Sequence, residues 1–312
     1  MSQRVPSNIA ASIRQRLFNL SKGRGEGFNL VLDRFAAERL LYRLSVSEHA
    51  EKFVLKGALL FLLWSAHLYR PTRDVDLLGF GGSSIGELED IFRDVCQGVV
   101  TDDGLEFDAD SVKGAVIREE QAYEGVRITL RVSLGTARIP MQIDIGFGDT
   151  ITPAAEAAEF PLTLTESALP MPRLKAYPRE TVIAEKLEAM VVLDMTNSRM
   201  KDFHDLTTLA QNFPFDGEVL ARATRSTFIR RGTAIPAAAP TALTARFAGD
   251  TTKTTQWKGF LRRSGIRHAE PDFAAVIDRL AAFLLPVLSA IRENADFQMH
   301  WPARGPWQSA RL

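Results

Sequence analysis

The 312-residue chain has a single cysteine, Cys96, and no net charge. One cysteine excludes an internal disulfide framework and a zinc site built from cysteine ligands, and it is typical of a reducing compartment. Because 38 basic residues balance 38 acidic ones, the overall charge gives no indication of a nucleic-acid partner. A surface that binds nucleic acid would have to come from an uneven distribution of these charges.

Long apolar runs are also scarce. The most apolar stretch, residues 53–66, is interrupted by Lys56 and is too short to cross a bilayer. The opening residues Met-Ser-Gln-Arg lack the apolar segment of a secretory signal peptide. We therefore expect a soluble, cytoplasmic protein without a membrane partner, and the length predicts one large or two ordinary domains.

The rest of the chain is organised around one stretch in its first third. Residues 53–55 form a short apolar run that is bounded by Gly57, which predicts a buried strand ending in a glycine turn. Residues 58–66 are almost continuously apolar and contain no helix breaker, so we expect a buried helix. Residues 74–78 then alternate between acidic and apolar side chains, which predicts a second strand.

Two acidic residues, Asp74 and Asp76, lie two positions apart on this second strand. Alternation places both carboxylates on one face, while Val75 and Leu77 face the core. Two carboxylates repel each other in so small a space unless a cation lies between them, and for oxygen ligands the expected ion is Mg²⁺. The alternative is the solvated face of an edge strand, because an Asp-x-Asp pair alone is a weak signal.

The neighbouring elements favour a nucleotide site. In the order strand, glycine turn, helix, strand, the backbone N–H groups of the turn and the start of the helix would hold phosphates, and the acids would hold the metal ion. Further along, residues 126–132 and 139–145 alternate around a Gly-Thr turn, which predicts a β-hairpin. Asp144 is a single acid on the polar face of that hairpin. Its alternative role is that of a surface residue opposite Arg127 or Arg131.

The remaining segments are mainly helical in pattern. Helices are expected before Gly23 and over residues 28–44, 85–97, 178–193 and 272–292. Ser84 precedes the third of these as a candidate N-cap, and Ser45 or Ser47 would cap a further helix that leads into Phe53. Residues 151–176 are rich in Ala, Pro, Glu and Thr, so we expect a linker or a crossing loop.

Two motifs resemble a known family. Lys-Gly-Ala at residues 56–58 with Arg-Pro-Thr-Arg-Asp-Val-Asp at residues 70–76 resembles the first motif of DNA-polymerase-β-type nucleotidyltransferases, and within them the AbiEii/AbiGii toxins. Ala-Glu-Lys-Leu-Glu-Ala at residues 184–189 and Arg-Met-Lys-Asp-Phe-His-Asp-Leu at residues 199–206 are similar to later motifs of those toxins. Ala58 departs from the superfamily, which has Gly or Ser there, and this puts one hydroxyl contact to phosphate in doubt.

The resemblance covers roughly residues 56–261 and implies an α+β fold. We expect a polymerase-β-type nucleotidyltransferase core, a small mixed sheet flanked by helices, followed by a helical C-terminal domain. The corresponding boundaries are residues 1–165 for the N-terminal helices with the core, and residues 166–312 for the mainly helical domain.

The resemblance also implies roles for individual residues. Asp74, Asp76 and Asp144 would bind the metal ion, and Asp144 would complete the metal shell or take the proton from the attacking hydroxyl. Lys186 would stabilise the leaving pyrophosphate, and Asp202 would hold that lysine or assist the metal shell. These five form the expected catalytic set.

The nucleotide-binding set implied by the resemblance is Lys56, Gly57, Thr72, Arg73, Lys186 and Asp205. The alternative for Lys186, Asp202 and Asp205 is that they form ion pairs on a helix surface, which contribute little to stability. The sequence does not decide whether Asp202 or Asp205 is the functional acid.

The C-terminal half combines basic with aromatic residues, a combination that suits phosphate contacts and base stacking on single-stranded RNA. The basic residues are Arg222, Arg225, Arg230, Arg231, Lys253, Lys258, Arg262, Arg263, Arg267 and His268. The interleaved aromatic residues are Phe228, Phe247, Trp257 and Phe260. The alternative is that the aromatic residues belong to a core and the arginines are solvated.

The resemblance implies a toxin of a bacterial toxin–antitoxin or phage-defence system. Such an enzyme would transfer a nucleotide from an NTP to an RNA acceptor, the 3′ end of tRNA, with Mg²⁺ as cofactor, and so block translation. Its partners would be the NTP, the RNA and a cognate antitoxin protein. The alternatives are nucleotidylation of a small molecule or protein, and a non-catalytic RNA- or protein-binding module on the same scaffold.

Overall fold

The computed structural model describes residues 8–65, 70–118, 124–266 and 269–309. They divide into two compact units. The first comprises Met1–Gly148 with Glu156–Ala176, and the second comprises Asp149–Ala155 with Tyr177–Leu312. The boundary expected after residue 165 therefore lies inside the first unit, and residues 149–155 group with the second unit.

The first unit contains four α-helices and one seven-stranded sheet among its described residues. Its helices are α1 (Ile9–Arg24), α2 (Phe28–Val46), α3 (Leu60–Ser65) and α4 (Ile85–Gln97), with a 3₁₀ turn at Ala50–Lys52. Its strands are β1 (Phe53–Lys56), β2 (Val75–Gly79), β3 (Leu105–Arg118), β4 (Glu124–Leu134), β5 (Ala137–Phe147), β6 (Glu156–Glu159) and β7 (Arg173–Ala176).

The sheet is mixed, with the strand order β3-β4-β5-β2-β1-β7-β6. Strand β2 is parallel to β5 and β1 is parallel to β7, whereas the other neighbouring strands are antiparallel. Alternate residues of the β4–β5 hairpin, such as Ile128 and Ile143, are fully buried, and α2 and α4 pack on the sheet. This arrangement confirms the predicted α+β class and the mixed sheet flanked by helices.

Several local predictions for the first unit are confirmed. Helix α4 has the predicted bounds, and Ser84 caps it by accepting a hydrogen bond from the N–H of Glu87 at 3.3 Å. Helix α1 is present but continues through Gly23, where it was expected to have ended, as far as Arg24; Gly25 then caps it with a φ of 65°, the left-handed conformation that favours glycine. The predicted hairpin is present as β4 and β5.

Two local predictions are wrong, and one strand was not predicted. The segment from Ser47 to Phe53 forms only the short 3₁₀ turn, not a helix. Residues 151–176 are not merely a linker, because they supply β6 and β7 to the sheet. Strand β3 was not anticipated, since a register shift between Asp108 and Lys113 interrupts its alternation.

The second unit is mainly helical, as predicted. Its helices are α5 (Arg179–Leu193), α6 (Met200–Asn212), α7 (Gly217–Arg231), α8 (Ala245–Ala248), α9 (Thr251–Ser264) and α10 (Phe273–Glu293), with 3₁₀ turns at Asp194–Thr196 and Thr241–Leu243. A small antiparallel sheet joins β8 (Phe215–Asp216), β9 (Met299–Trp301) and β10 (Gln308–Ser309).

Helix α10 is the single helix in the described part of the chain that is long and apolar enough to span a membrane, so the expectation that the most apolar stretch is residues 53–66 overlooked it. Half of its most apolar window is buried inside the protein. It packs on α6, α7 and α8, and Phe283 and Leu284 are completely buried. These contacts are those of the core helix of a folded unit.

Candidate active site

The predicted carboxylates of the first unit converge on two neighbouring parallel strands. The register between β2 and β5 places Asp76 directly beside Asp144. Asp74 immediately precedes β2, so the strand begins one residue later than predicted. On the other side of β2, the antiparallel register places Lys56 of β1 beside Asp76. Two of the predicted acids and a predicted nucleotide-binding lysine therefore occupy adjacent positions on three strands.

Asp144 also has a cationic partner on β4. Arg127 holds both of its carboxylate oxygens, with Nε to Oδ1 and Nη2 to Oδ2 distances of 2.8 Å, and Gln142 Nε2 donates a longer hydrogen bond of 3.3 Å to Oδ2. The hydrogen bond to Asp144, together with the charges of Asp144, Asp74 and Asp76, raises the pKa of Arg127 above its ordinary value. Asp144 thus lies beside Asp76, as expected for a metal ligand. It is also paired with Arg127, as the alternative role of a surface residue predicted.

The Asp76 side chain packs directly against the glycine turn at Gly57. Gly57 has a φ of 76°, which a side chain rarely adopts, and a Cβ atom there would lie 1.9 Å from Asp76 Oδ2. The Lys56 ammonium extends toward β5, because a Cβ atom on Gly146 would lie 2.9 Å from its Nζ. Two glycines therefore provide the space in which the acidic and basic side chains of this cluster fit.

Replacing Gly57 with Ala is expected to lower the rate of the nucleotide transfer that the first motif implies about 100-fold, because the new Cβ must displace the Asp76 carboxylate and a shift of about 1 Å has that effect in an active site. Gly25→Ala is the matched control, since Gly25 has a φ of 65° and a Cβ atom there would have no heavy atom within 4 Å. Steady-state kinetics and thermal unfolding of both variants check this. Equal activity in the two variants would contradict the role of the turn.

The other first-motif residues lie on the approach to β2. Thr72 is half-buried in the loop, and Arg73 is 69% exposed, with its Nε 3.1 Å from Asp33 Oδ2 on α2. Burial raises the pKa of Asp33, and the Arg73 charge opposes that shift. Arg73 is thus available at the surface next to Asp74, held by one carboxylate.

In the second unit, the later-motif residues form a buried ionic cluster. Lys186 of α5 lies with its Nζ 2.5 Å from Asp202 Oδ1 and 3.0 Å from Asp205 Oδ2, both on α6. Arg199 Nε is 2.8 Å from the other oxygen of Asp202. The side chains of Asp202 and Asp205 are only 1% and 2% exposed, so the alternative of surface ion pairs is wrong. Burial alone would raise the pKa of Asp202, but Lys186 and Arg199 hold it below the ordinary value.

Comparison with known proteins then decides the family. The profile of the nucleotidyl transferase AbiEii toxin family, type IV toxin–antitoxin system, matches residues 39–279, which include both groups of residues described above. The chain belongs to the AbiEii nucleotidyltransferase toxin family. This confirms the resemblance of the two motifs and identifies the chain as a nucleotidyltransferase, with an NTP as substrate and an antitoxin as partner.

Two solved structures are similar to this AbiEii family member. MenT4, a nucleotidyltransferase toxin from Mycobacterium tuberculosis H37Rv, is 17% identical, with 90% of this chain and 98% of MenT4 covered and a TM-score of 0.49. JHP933 from Helicobacter pylori is 13% identical, with 82% and 90% of the two chains covered and a TM-score of 0.48. A comparison with curated protein sequences gave no match.

The prediction of an RNA-stacking surface in the C-terminal half of this AbiEii family member is wrong for three of its four aromatic residues, whereas Phe260 is partly exposed. Phe228, Phe247 and Trp257 are at most 1% exposed, and the Trp257 Nε1–H donates to the carbonyl of Glu270 at 3.1 Å. These rings form the core of the second unit and cannot stack on bases, in agreement with the alternative interpretation.

Two of the predicted basic contacts are also internal. Arg231 binds Asp149 at 2.9 Å and Glu188 at 2.8 Å and is 14% exposed, while buried Lys253 donates to the carbonyl of Asn197 at 2.9 Å. Arg222, Arg230, Lys258, Arg262 and Arg263 are exposed, and Arg225 is partly exposed. Arg267 and His268 lie outside the described residues.

Enzymes of the AbiEii nucleotidyltransferase family generally use a divalent metal ion. Within the described residues, a separate group of Glu48, His49 and Asp94 has ligand atoms that all lie within 4.8 Å of one another. His49 Nε2 is 3.2 Å from Asp94 Oδ2, so this group is held together by its own hydrogen bond.

Arg127 was expected only as one of two possible partners, with Arg131, of a surface Asp144 and was not included in the site. Which arginine pairs with Asp144 depends on the hairpin register, which the Gly135-Thr136 turn defines.

Proposed function

We propose that this AbiEii toxin transfers a nucleotide from an NTP to the 3′ end of an RNA, with tRNA as the acceptor, and thereby blocks translation. The observation that carries the proposal is the adjacency of Asp76 and Asp144 on parallel strands, with Asp74 at the start of the same strand and the Lys56-Gly57 turn beside it. The toxin would act in the bacterial cytoplasm and be controlled by its cognate antitoxin in a phage-defence role.

Asp74, Asp76 and Asp144 would hold Mg²⁺. Their donor atoms are carboxylate oxygens, which hard divalent cations prefer, and the acids are close enough for all three to act on Arg127. When bound, the ion supplies positive charge that offsets the charge on the triphosphate oxygens. Transfer without a divalent ion would argue against this assignment.

The chain's own groups then position and deprotonate the reactants. In the proposed step, the oxygen of the RNA 3′-hydroxyl attacks the α-phosphorus, a new P–O bond forms, and the bond to the bridging oxygen between the α- and β-phosphorus breaks to release pyrophosphate. The hydroxyl proton passes to an oxygen of Asp144, whose orientation is fixed by Arg127. The Lys56 ammonium would neutralise phosphate charge.

The roles of the second-unit residues are part of the same proposal. Lys186 would interact with the pyrophosphate leaving group, as the family motif implies. Asp202 and Asp205 both contact its ammonium, so their role would be to hold Lys186 in place rather than to bind the metal ion. Both acids would then contribute to the reaction indirectly, because they position the Lys186 ammonium.

The acceptor can be identified by incubating the purified protein with Mg²⁺, each α-labelled NTP and total tRNA, next to a protein mixture and hydroxyl-bearing small molecules. We expect label on tRNA alone. Periodate-oxidised tRNA, which lacks the terminal hydroxyls, is the control and should remain unlabelled. Label on protein or on a small molecule, with unlabelled tRNA, would replace the RNA proposal by the corresponding alternative.

A further inference from the structure

A groove of about 550 Å³ opens beside Asp74 on the first unit. Its lining includes the cationic side chains of Arg73, Lys113 and Arg131 and the neutral polar side chains of Thr129 and Gln142. Asp110 adds one further acid besides Asp74. Cations therefore exceed acids in this groove, although the whole chain is neutral.

The strand register shows where the groove runs. Thr129 of β4 lies between Gln142 of β5 and Lys113 of β3. Arg131 is two residues further along β4, away from Arg127 and its partner Asp144. The groove thus begins at Asp74 and crosses the polar face of β5, β4 and β3.

The cations of the groove can exchange their present partners for a ligand. Arg131 is 72% exposed and lies 2.8 Å from Asp108, which is itself 42% exposed. An exposed pair of this kind contributes little, so replacing the carboxylate by a phosphate has a small cost. Lys113 is exposed, and Arg73 is 69% exposed.

The spacing of the strands indicates which phosphates these cations would meet. Neighbouring strands lie about 4.8 Å apart, so β4 is roughly 10 Å and β3 roughly 14 Å from β2, which carries Asp76. Phosphates next to the carboxylates would be those of the triphosphate. Phosphates over Arg131 and Lys113 would belong to another nucleotide further along a chain. The base of an NTP is uncharged, so it would not form ion pairs with these two cations.

We infer that this groove binds the last nucleotides of a single-stranded RNA 3′ end, with Arg131 and Lys113 on backbone phosphates and Thr129 and Gln142 on sugar or base groups. The inference rests on the proposed function, and it adds where the RNA acceptor lies on the first unit. Since none of the described lining residues is aromatic, contacts to the backbone carry the binding, and sequence preference at these nucleotides is expected to be weak.

The test compares Lys113→Gln/Arg131→Gln with a matched double variant, Arg173→Gln/Lys175→Gln. The control removes one arginine and one lysine from β7 of the same sheet, where both are exposed and paired with Glu159 and Glu51. All four substitutions are on the surface, so both proteins are expected to keep the unfolding midpoint of the wild type.

We expect the groove variant to raise the KM for tRNA about tenfold, with the KM for NTP unchanged and the control variant like wild type. The slope of log affinity against log salt should fall by about 1.4, since each phosphate contact on a single strand contributes about 0.7. A KM for tRNA equal to that of the control would overturn the inference. A raised KM for NTP alone would assign the groove to the nucleotide instead.

Direct binding separates this inference from the proposed function. A short fluorescent single-stranded RNA with a free 3′-hydroxyl is titrated onto each protein and followed by anisotropy. If the wild type transfers no nucleotide to any RNA, the proposed function fails, and the anisotropy result still decides the groove. Loss of binding in the groove variant supports it, and equal binding in both double variants overturns it.

Discussion

Replacing Asp76 with Asn is expected to lower nucleotide transfer at least about 1,000-fold, because the substitution removes one carboxylate from a proposed metal site and the charge stabilisation by the ion is worth several kcal/mol in the transition state. The fold should persist. Asn has the same shape, and the change relieves repulsion with the neighbouring Asp144. Activity at saturating NTP and the thermal unfolding midpoint are the two measurements.

Asp90→Asn provides the control for this substitution. Asp90 is 76% exposed on α4 and pairs with Arg93, so its loss should leave both activity and stability unchanged. Near-normal transfer by Asp76→Asn in Mg²⁺ would contradict the metal assignment. A large fall in its unfolding midpoint would instead give Asp76 a structural role.

Replacing Lys186 with Met is expected to destabilise the second unit by about 3–5 kcal/mol, because Asp202 and Asp205 would be left buried with too little positive charge. Urea unfolding can be followed by tryptophan fluorescence, since Trp257, Trp301 and Trp307 belong to this unit. A surface lysine would change the free energy of unfolding by less than about 1 kcal/mol.

The double variant Lys186→Met/Asp205→Asn separates charge from packing. It removes one acid together with the lysine and leaves Asp202 paired with Arg199, so most of the lost stability should return. If the double variant is as unstable as Lys186→Met alone, the cost lies in packing and not in the uncompensated charge.

The same cluster predicts a dependence on pH. The pKa of Asp202 is lower in the folded protein than in the unfolded chain, so its contribution to stability is present above the unfolded value near 4 and is lost as the pH falls through the folded value. Lys186→Met should reduce the loss of stability below about pH 4, because it removes the leading cause of the lowered pKa.

Local patterns in the sequence predicted the elements that carry their own signals. Helix α4 has its capping serine, and the β4–β5 hairpin has strict alternation around a short turn. The strand before Gly57 likewise ends where the pattern indicated. Such features depend on residues a few positions apart, which is the range over which a sequence pattern is informative.

The adjacency of Asp76 and Asp144 could not be obtained in this way. Their strands are parallel and far apart in sequence, so the register depends on the packing of the whole sheet and not on a turn. The resemblance to a family, not the pattern, suggested that these acids act together. Strand β6 was missed for a different reason, since its sequence Glu-Ala-Ala-Glu has little preference for strands.

For the C-terminal aromatic residues a sequence pattern was present, but it was compatible with two different structures. Basic residues interleaved with Phe228, Phe247 and Trp257 fit a stacking surface and a helical core equally well in sequence, and only burial distinguishes the two. Lys113 and Arg131 line the groove beside Asp74, and no comparable sequence pattern indicated that groove.

The most direct test of nucleotidyl transfer uses two labels on the same NTP. The wild-type protein is incubated with tRNA and Mg²⁺ and with NTP labelled at either the α- or the γ-phosphate, next to Asp76→Asn. We predict that the α-label appears at the tRNA 3′ end, that the γ-label leaves as pyrophosphate, and that Asp76→Asn transfers neither. Transfer of the γ-label to RNA, or equal α-labelling by Asp76→Asn, would contradict nucleotidyl transfer at these carboxylates.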